Sequence, residues 1–594
     1  MADYKPPFRD VRYVLENLVD LDAICSLPAF SHLDPATIFG VLEENARFVA
    51  EVIAPLNRVG DIEGSQHDPT TNTVRTPTGF IDAYSSYVEA GWGGVPFPES
   101  YDGGGFPWLV GIVMQEFISS ANMAFSMAPL LTQGAIDLLM HHGSEEQKEK
   151  YLKRMVTGEW TGTMNLTEPQ AGSDVGAVRT KAIPQADGSY KITGTKIYIS
   201  FGEHDLADNI VHLVLARTPD APPGTKGISC FIVPKYLVND DGSLGERNDV
   251  TCVSIEHKMG IKASPTCVMS YGENGGATGY LIGEENRGMR YMFTMMNNAR
   301  LSVGLEGLSL AERAYQDALQ YAQERRQGRA PNATGAEMSL IIELPDVRRM
   351  LLTIRSIIDA LRAIIYVNAA AVDMAAHHPD ESVREKNQEL VELLIPVSKG
   401  FGTDMGIEAT SLAIQVYGGM GYIEESGVPQ HYRDARITTI YEGTNGIQAM
   451  DLVGRKLPMR GGGVMNDFLA DIDDVVARAR QQGDAFAQMA DRLAAANQTV
   501  RTTSQWLLEN GMADVRNALA GATPFLRMFG LLVGGRYLVE SALAAAKAGN
   551  DSYFKARQTV ASFYCDNLLS GVHGLDAAVT AGFADLYAIA DSEL

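Results

Sequence analysis

Glu442 stands between an aromatic ring and a glycine in the run RDARITTIYEGTNGIQAMDLVGR. A glycine directly after an acid lets the backbone approach a ligand closely, because no Cβ excludes it. A carboxylate held there out of bulk water has its charged form disfavoured, which suits a general base working near neutrality. Taken alone, Tyr441-Glu442-Gly443 equally describes a surface acid where a helix becomes a loop, so other parts of the chain decide. One such part is MNLTEPQAGSDVGAVRTKA, which offers backbone N–H groups and two hydroxyls at a strand end. These can hold a flat, polar-edged ring or a phosphate, although an ordinary strand-to-turn junction has the same composition. YISFG follows it, and the glycine-rich QVYGGMGYIEE lies just before the acid.

The elements that position these residues change in texture along the chain. Its 594 residues exceed one ordinary core and call for three or four domains. Residues 1–160 read as an N-terminal helical domain, with apolar residues at three- and four-residue intervals in PATIFGVLEENARFVAEVIAPL and a loop at WGGVPFPESYDGGGFPW. Residues 161–285 carry β-branched and aromatic runs split by turn signals (YKITGTKIYIS, NIVHLVLART, ISCFIVP, VTCVSIEH, TCVMSYG), a small antiparallel sheet or barrel with a hairpin at Asp187-Gly188. Long amphipathic stretches in 286–457 predict a helical bundle. Residues 458–594 form an additional Ala/Leu-rich helical domain, set off by PMRGGG as a linker.

With 49 basic and 73 acidic side chains the formal charge is −24, which argues against a nucleic-acid or anionic-membrane partner. The five cysteines form no CxxC pair and the histidines no HExxH, so no metal is expected and the thiols read as buried apolar fillers. There is no secretory h-region, and no uninterrupted apolar run of about 18 residues. The expectation is a cytoplasmic protein without membrane insertion.

In order, the motifs TEPxAGSD, GxKxxIS, QxxGGxGY and YEGTxxIQ resemble the acyl-CoA dehydrogenase family over about residues 40–457. The resemblance implies an α+β, mainly α fold: an N-terminal helical domain, a middle β-barrel or sheet domain and a C-terminal four-helix bundle, with FAD between the last two. The N-terminal PPFRDVRYVLENLVDL and the extra helical domain are similar to a longer subgroup that includes 3-methylmercaptopropionyl-CoA dehydrogenases.

By the same resemblance Met164, Leu166, Thr167, Gly172 and Ser173 meet the flavin ring and pyrophosphate, with Tyr198 and Ser200 also at the flavin. Gln415, Gly418 and Gly419 meet the adenine end of a neighbouring subunit's FAD, Thr444 and Gly446 its ADP part. Arg325 reaches the pyrophosphate across a dimer, where a guanidinium binds phosphate oxygens bidentately. Ser173, Asn297, Arg300, Gly443 and Arg455 correspond to substrate contacts, Arg300 near the thioester and Asn297 in a place often held by Asp. Two departures stand out: ERRQGR lacks the phenylalanine of ERxxFG, and Arg455 falls one residue later than the usual CoA-contacting arginine.

The implied reaction is α,β-dehydrogenation of an acyl-CoA thioester to the trans-2-enoyl-CoA. Glu442 takes the α proton, flavin N5 accepts the β hydride, and electrons pass to electron-transferring flavoprotein from a homodimer. Some family members carry the base on another helix, directly before its arginine; here that place is Ala299, which cannot take a proton. An acyl-CoA oxidase using O2 and a non-catalytic family relative remain alternatives. The acyl group, 3-methylmercaptopropionyl or short to medium, is left open.

Overall fold

The computed structural model describes residues 3–331, 333–334 and 337–594, and of Asn297 the backbone alone. The chain forms two compact units, Glu44–Ser302 and Met1–Glu43 with Val303–Leu594.

In the Glu44–Ser302 unit three successive helices, Trp108–Ala121, Met123–His142 and Glu145–Val156, lead into a sheet. Their boundaries are written in polar residues. Asn122 caps the second helix by accepting from the Phe125 N–H (3.1 Å), and Ser144 with Gln147 forms a capping box on the third. Met123–His142 and, in the other unit, Val515–Ala548 are long and apolar enough to cross a membrane, but 83% and 72% of their apolar windows are buried inside the fold. That is the burial of core helices.

The strands in chain order are β1 (Gln66–Asp68), β2 (Thr73–Arg75), β3 (Trp160–Asn165), β4 (Lys181–Pro184), β5 (Tyr190–Ser200), β6 (Asn209–Ala216), β7 (Ser229–Pro234), β8 (Tyr236–Val238), β9 (Leu244–Arg247), β10 (Val250–Ile255), β11 (Thr266–Tyr271) and β12 (Ala277–Leu281). The main sheet runs β10-β11-β5-β12-β7-β6-β3, with β4 also on β5. The 187–188 turn closes the expected hairpin, Pro184 facing Tyr190. The sheet is antiparallel, as expected, except at one edge, where β3 runs parallel to β6 from Trp160–Asn209 to Asn165–Val214. β6 and β7 are buried along their whole length, so their runs are mostly apolar rather than alternating, interrupted by the buried Asn209, His212 and Ser229.

The other unit is helical. Gly288–Glu324, Pro345–His377, Glu381–Pro396 and Gly402–Tyr417 supply its long helices, and Gly463–Arg480, Asp484–Ala513, Val515–Ala548 and Ser552–Tyr564 continue it. PMRGGG is a structured turn rather than a flexible spacer. Arg460, Gly461 and Gly462 all take positive φ (49°, 65° and 93°), and Arg460 is bidentate to Glu389 at 2.7 and 2.9 Å while also meeting Asp467. All five cysteines are buried and free, as read from the sequence.

Candidate active site

Residues 440–444 bridge two helical segments, Arg436–Thr439 and Asn445–Asp451, by a turn with unusual backbone geometry. Glu442 has φ 55° and Gly443 φ 84°. Glycine enters that region without cost, whereas a glutamate does so at about 1–3 kcal/mol and needs surroundings that enforce it. Those surroundings are visible. The Gln448 amide donates to the carbonyls of Glu442 (3.3 Å) and Gly443 (3.4 Å). Thr444 caps the helix Asn445–Asp451 through the Ile447 N–H (3.3 Å). Asn445 accepts from Lys399 Nζ (2.9 Å) and donates to the Gly400 carbonyl (2.9 Å) and Asp404 Oδ1 (2.8 Å). The Tyr441 hydroxyl donates to Glu306 Oε2 from the Gly288–Glu324 helix. Glu442 itself is half-buried. A half-buried carboxylate on an immobilised turn can serve as a proton acceptor for a ligand held against it.

Glu306 is fully buried. Burial drives its carboxyl well above the usual carboxylate range; the Tyr441 hydrogen bond opposes this, the Glu442 charge adds to it and Lys399 again opposes. Tyr441 is likewise pushed up, by burial first and then by Glu306.

At the sheet, Met164 lies in β3, and Leu166 and Thr167 just beyond its end, all half-buried. The Ile197 N–H donates to the Thr167 carbonyl (2.9 Å), which brings the β3 end against β5. There a bulge sets Ile197 and Tyr198 opposite the single residue Val268. Bulges re-aim side chains, and Tyr198, at φ 60°, is turned out to 60% exposure with Ser200 nearby on the same strand. Gly172 and Ser173 follow on an exposed loop. This set of an exposed ring, hydroxyls and an open glycine loop fits a flat polar-edged ligand and its phosphates. In the same unit Arg300 is buried, its guanidinium 6.0 Å from the Phe293 ring centroid. The Asn297 side chain lies outside the described residues.

In the helical unit Tyr321 and Tyr417 stack with centroids 4.1 Å apart and planes at 11°. The stack fastens the end of the helix preceding Arg325 beside the end of the helix bearing Gln415. Arg325, Gln415, Gly418 and Gly419 are all exposed there, and the two glycines border open space. Gly446 is exposed just after the Glu442 turn. Arg455 is ion-paired with buried Asp451, its side chain 60% exposed.

Residues 41–159, 163–273 and 286–457 match the models of the acyl-CoA dehydrogenase N-terminal, middle and C-terminal domains, and 468–590 matches one described as acetyl-CoA dehydrogenase C-terminal like. The chain is 46% identical over 570 residues to the 3-methylmercaptopropionyl-CoA dehydrogenase of Ruegeria pomeroyi, covering 95% of this chain and 96% of that protein. This chain belongs to the acyl-CoA dehydrogenase family. It is also 38% identical over 592 residues to a butyryl-CoA dehydrogenase of Syntrophomonas wolfei, covering 96% of each. A solved acyl-CoA dehydrogenase from Bacillus anthracis, complexed with FAD, shares the fold with a TM-score of 0.73 at 20% identity, over 92% of this chain and 88% of that one.

Several residues of this acyl-CoA dehydrogenase escape a motif reading. Glu168 and Lys196 sit inside two of the motifs, yet sequence assigned them no role. They form a buried pair at 2.9 Å, and Lys196 Nζ also donates to the Leu166 carbonyl (3.0 Å) beneath the sheet rim. Lys399 and Gln448 brace the Glu442 turn from outside the motif acid itself. Glu306 carries one available signal, an acid in the middle of the apolar run VGLEGLSLA.

Proposed function

We propose that this protein catalyses FAD-dependent α,β-dehydrogenation of an acyl-CoA thioester, with Glu442 as the base that removes the α proton. The observation that carries the reading is the Glu442 turn: a half-buried carboxylate in a left-handed conformation, fixed by Gln448, Asn445 and Tyr441. Bound FAD supplies the acceptor for the two electrons and the hydrogen leaving Cβ. Met164, Leu166, Thr167, Gly172, Ser173, Tyr198 and Ser200 would hold its ring and pyrophosphate. Arg325, Gln415, Gly418, Gly419, Thr444 and Gly446 would hold the rest, across a homodimer. Arg300, the Asn297 position and the Glu442 backbone N–H would serve the thioester end of the substrate; Gly443 would allow its approach, and Ser173 and Arg455 would serve the CoA arm. Preorganised donors of this kind are each typically worth about 3 kcal/mol of barrier.

The names of the relatives support a short acyl group, 3-methylmercaptopropionyl or butyryl, the family supports electron-transferring flavoprotein as acceptor, and the five free, buried cysteines suit a reducing, cytoplasmic setting. Glu442→Gln is expected to purify yellow with FAD but to leave the flavin oxidised under anaerobic addition of butyryl-CoA, 3-methylmercaptopropionyl-CoA and longer acyl-CoAs, all tested against wild type. Full bleaching of the variant would sink the assignment. Hydrogen peroxide release on aerobic turnover would instead mark an oxidase.

A further inference from the structure

Glu306 sits on the Gly288–Glu324 helix between Gly304 and Gly307, with no exposed surface. Those glycines bring the helix backbone directly onto Ser398 and Gly402, so no solvent path opens on that side. One carboxyl oxygen accepts the Tyr441 hydroxyl; the other has no hydrogen-bond partner among the described residues. The ionisable groups facing it are Tyr441 and Glu442 from the turn and Lys399 from the 397–401 segment, and Lys399 donates to Asn445 Oδ1 at 2.9 Å. A buried carboxylate with one hydrogen bond beside another carboxylate is a poorly solvated second negative charge.

We propose that Glu306 is a positioning residue that keeps its proton at working pH, anchoring Tyr441 and leaving Glu442 the charged member of the carboxyl pair. The proposal rests on Glu442 being the base. Burial and the Glu442 charge both push the Glu306 carboxyl upward, and only the Tyr441 bond and Lys399 pull against them. The Glu442 charge therefore raises the pH at which Glu306 gives up its proton. When that proton leaves, two like charges face each other across the turn. The turn then loses its anchor, and activity falls on the alkaline side.

The test is infrared titration of the FAD-bound protein, following the carbonyl stretch of protonated carboxylic acids. A band persisting above neutral pH is expected in wild type and absent from Glu306→Gln. In Glu442→Gln the like charge is gone, and the band should titrate away at lower pH than in wild type. In Tyr441→Phe the hydrogen bond that favours ionisation is gone, and the band should survive to higher pH. The pH profile of kcat/KM, measured with butyryl-CoA, should lose its alkaline limb in Glu306→Gln while keeping the acid limb. Glu306→Leu, which cannot hold Tyr441, should lower kcat roughly tenfold, with Gln recovering most of it.

No Glu306-dependent band at neutral pH, or a band unmoved by both Glu442→Gln and Tyr441→Phe, overturns the proposal. These spectra need no turnover. A Glu442→Gln variant that still bleaches would overturn the assignment of the base while leaving the coupling measured. If Glu306→Gln fails to fold, the opposite shifts in the other two variants decide the matter.

Discussion

Glu168 and Lys196 are exposed by only 4% and 0%, and their fates are tied. Burial works against the Glu168 carboxylate, but Lys196 and the Thr180 hydroxyl more than offset it and hold the carboxyl near a pKa of about 2. Burial pulls Lys196 down to about 8 against the attraction of Glu168, so both are charged at neutral pH. A pair that costs this much to desolvate contributes little net, yet removing one partner strands the other. Lys196→Met is expected to destabilise by about 3–5 kcal/mol at pH 7, read as a fall in the urea midpoint, with partial recovery in Lys196→Met/Glu168→Leu. The pH dependence has a definite sign. Because the folded pKa of Glu168 lies below its ordinary 4.5, its contribution is present above that value and lost as pH falls through about 2. Lys196→Met should lose that acid-side dependence. Both residues stand in motifs that were legible in the sequence, but their pairing was not. The two positions belong to different segments of the middle region, and nothing in their spacing says that the fold brings the loop after β3 and strand β5 face to face.

Elements were legible where burial has a period. The five apolar runs of the middle region are strands because alternating or continuous β-branched patterns have few other uses. The hairpin β1–β2 was not, since QHD and TVR are short, largely exposed strands with no apolar stripe. The parallel pairing of β3 with β6 was also hidden, because side-chain pattern does not record strand direction. Helix packing is written partly in glycines. A methyl group at Gly307 would lie 2.5 Å from the Gly402 carbonyl oxygen, and one at Gly406 would lie 2.7 Å from the Gly307 Cα. Neither backbone can yield without moving its helix. Gly307→Ala is expected to cost about 1–3 kcal/mol and lower Tm. Gly40→Ala, in the exposed face of the Pro35–Phe48 helix with nothing within 4 Å of the added carbon, is the contrast and should hold or raise Tm. Equal losses in both would show that the Gly307 contact is not what closes the bundle.

For the chain as a whole, the sequence separates an N-terminal segment and a C-terminal helical domain from the core family region, yet the structure joins both through charge. Asp10, from the helix Phe8–Asn17, accepts from Arg355 (2.7 Å) and Arg557 (2.8 Å), and from the Tyr553 hydroxyl (2.8 Å). Asp359 closes the ring, 3.2 Å from Arg355 and 2.9 Å from Arg557. Three segments far apart in sequence thus meet at one carboxylate, a convergence no local pattern announces. Burial opposes the charge on Asp10, but Arg355 and Arg362 outweigh it and lower its pKa. Its contribution is therefore present above the ordinary value of 3.8 and is lost as pH falls below it. Asp10→Ala leaves Arg355 and Arg557 with Asp359 as their direct ion-pair partner and Glu312 as a further acid near Arg355, so positive charge is less well matched in a buried place. The expected cost is about 3–5 kcal/mol at pH 7, falling away on acidification. Asp10→Asn, which keeps a carbonyl acceptor for one guanidinium, should lose less. Hydrogen exchange reports where the loss falls. If Asp10 joins the three segments, protection should drop together in residues 8–17, 345–377 and 552–564. A drop confined to 8–17 would show that the N-terminal helix merely rests on a unit that holds itself together.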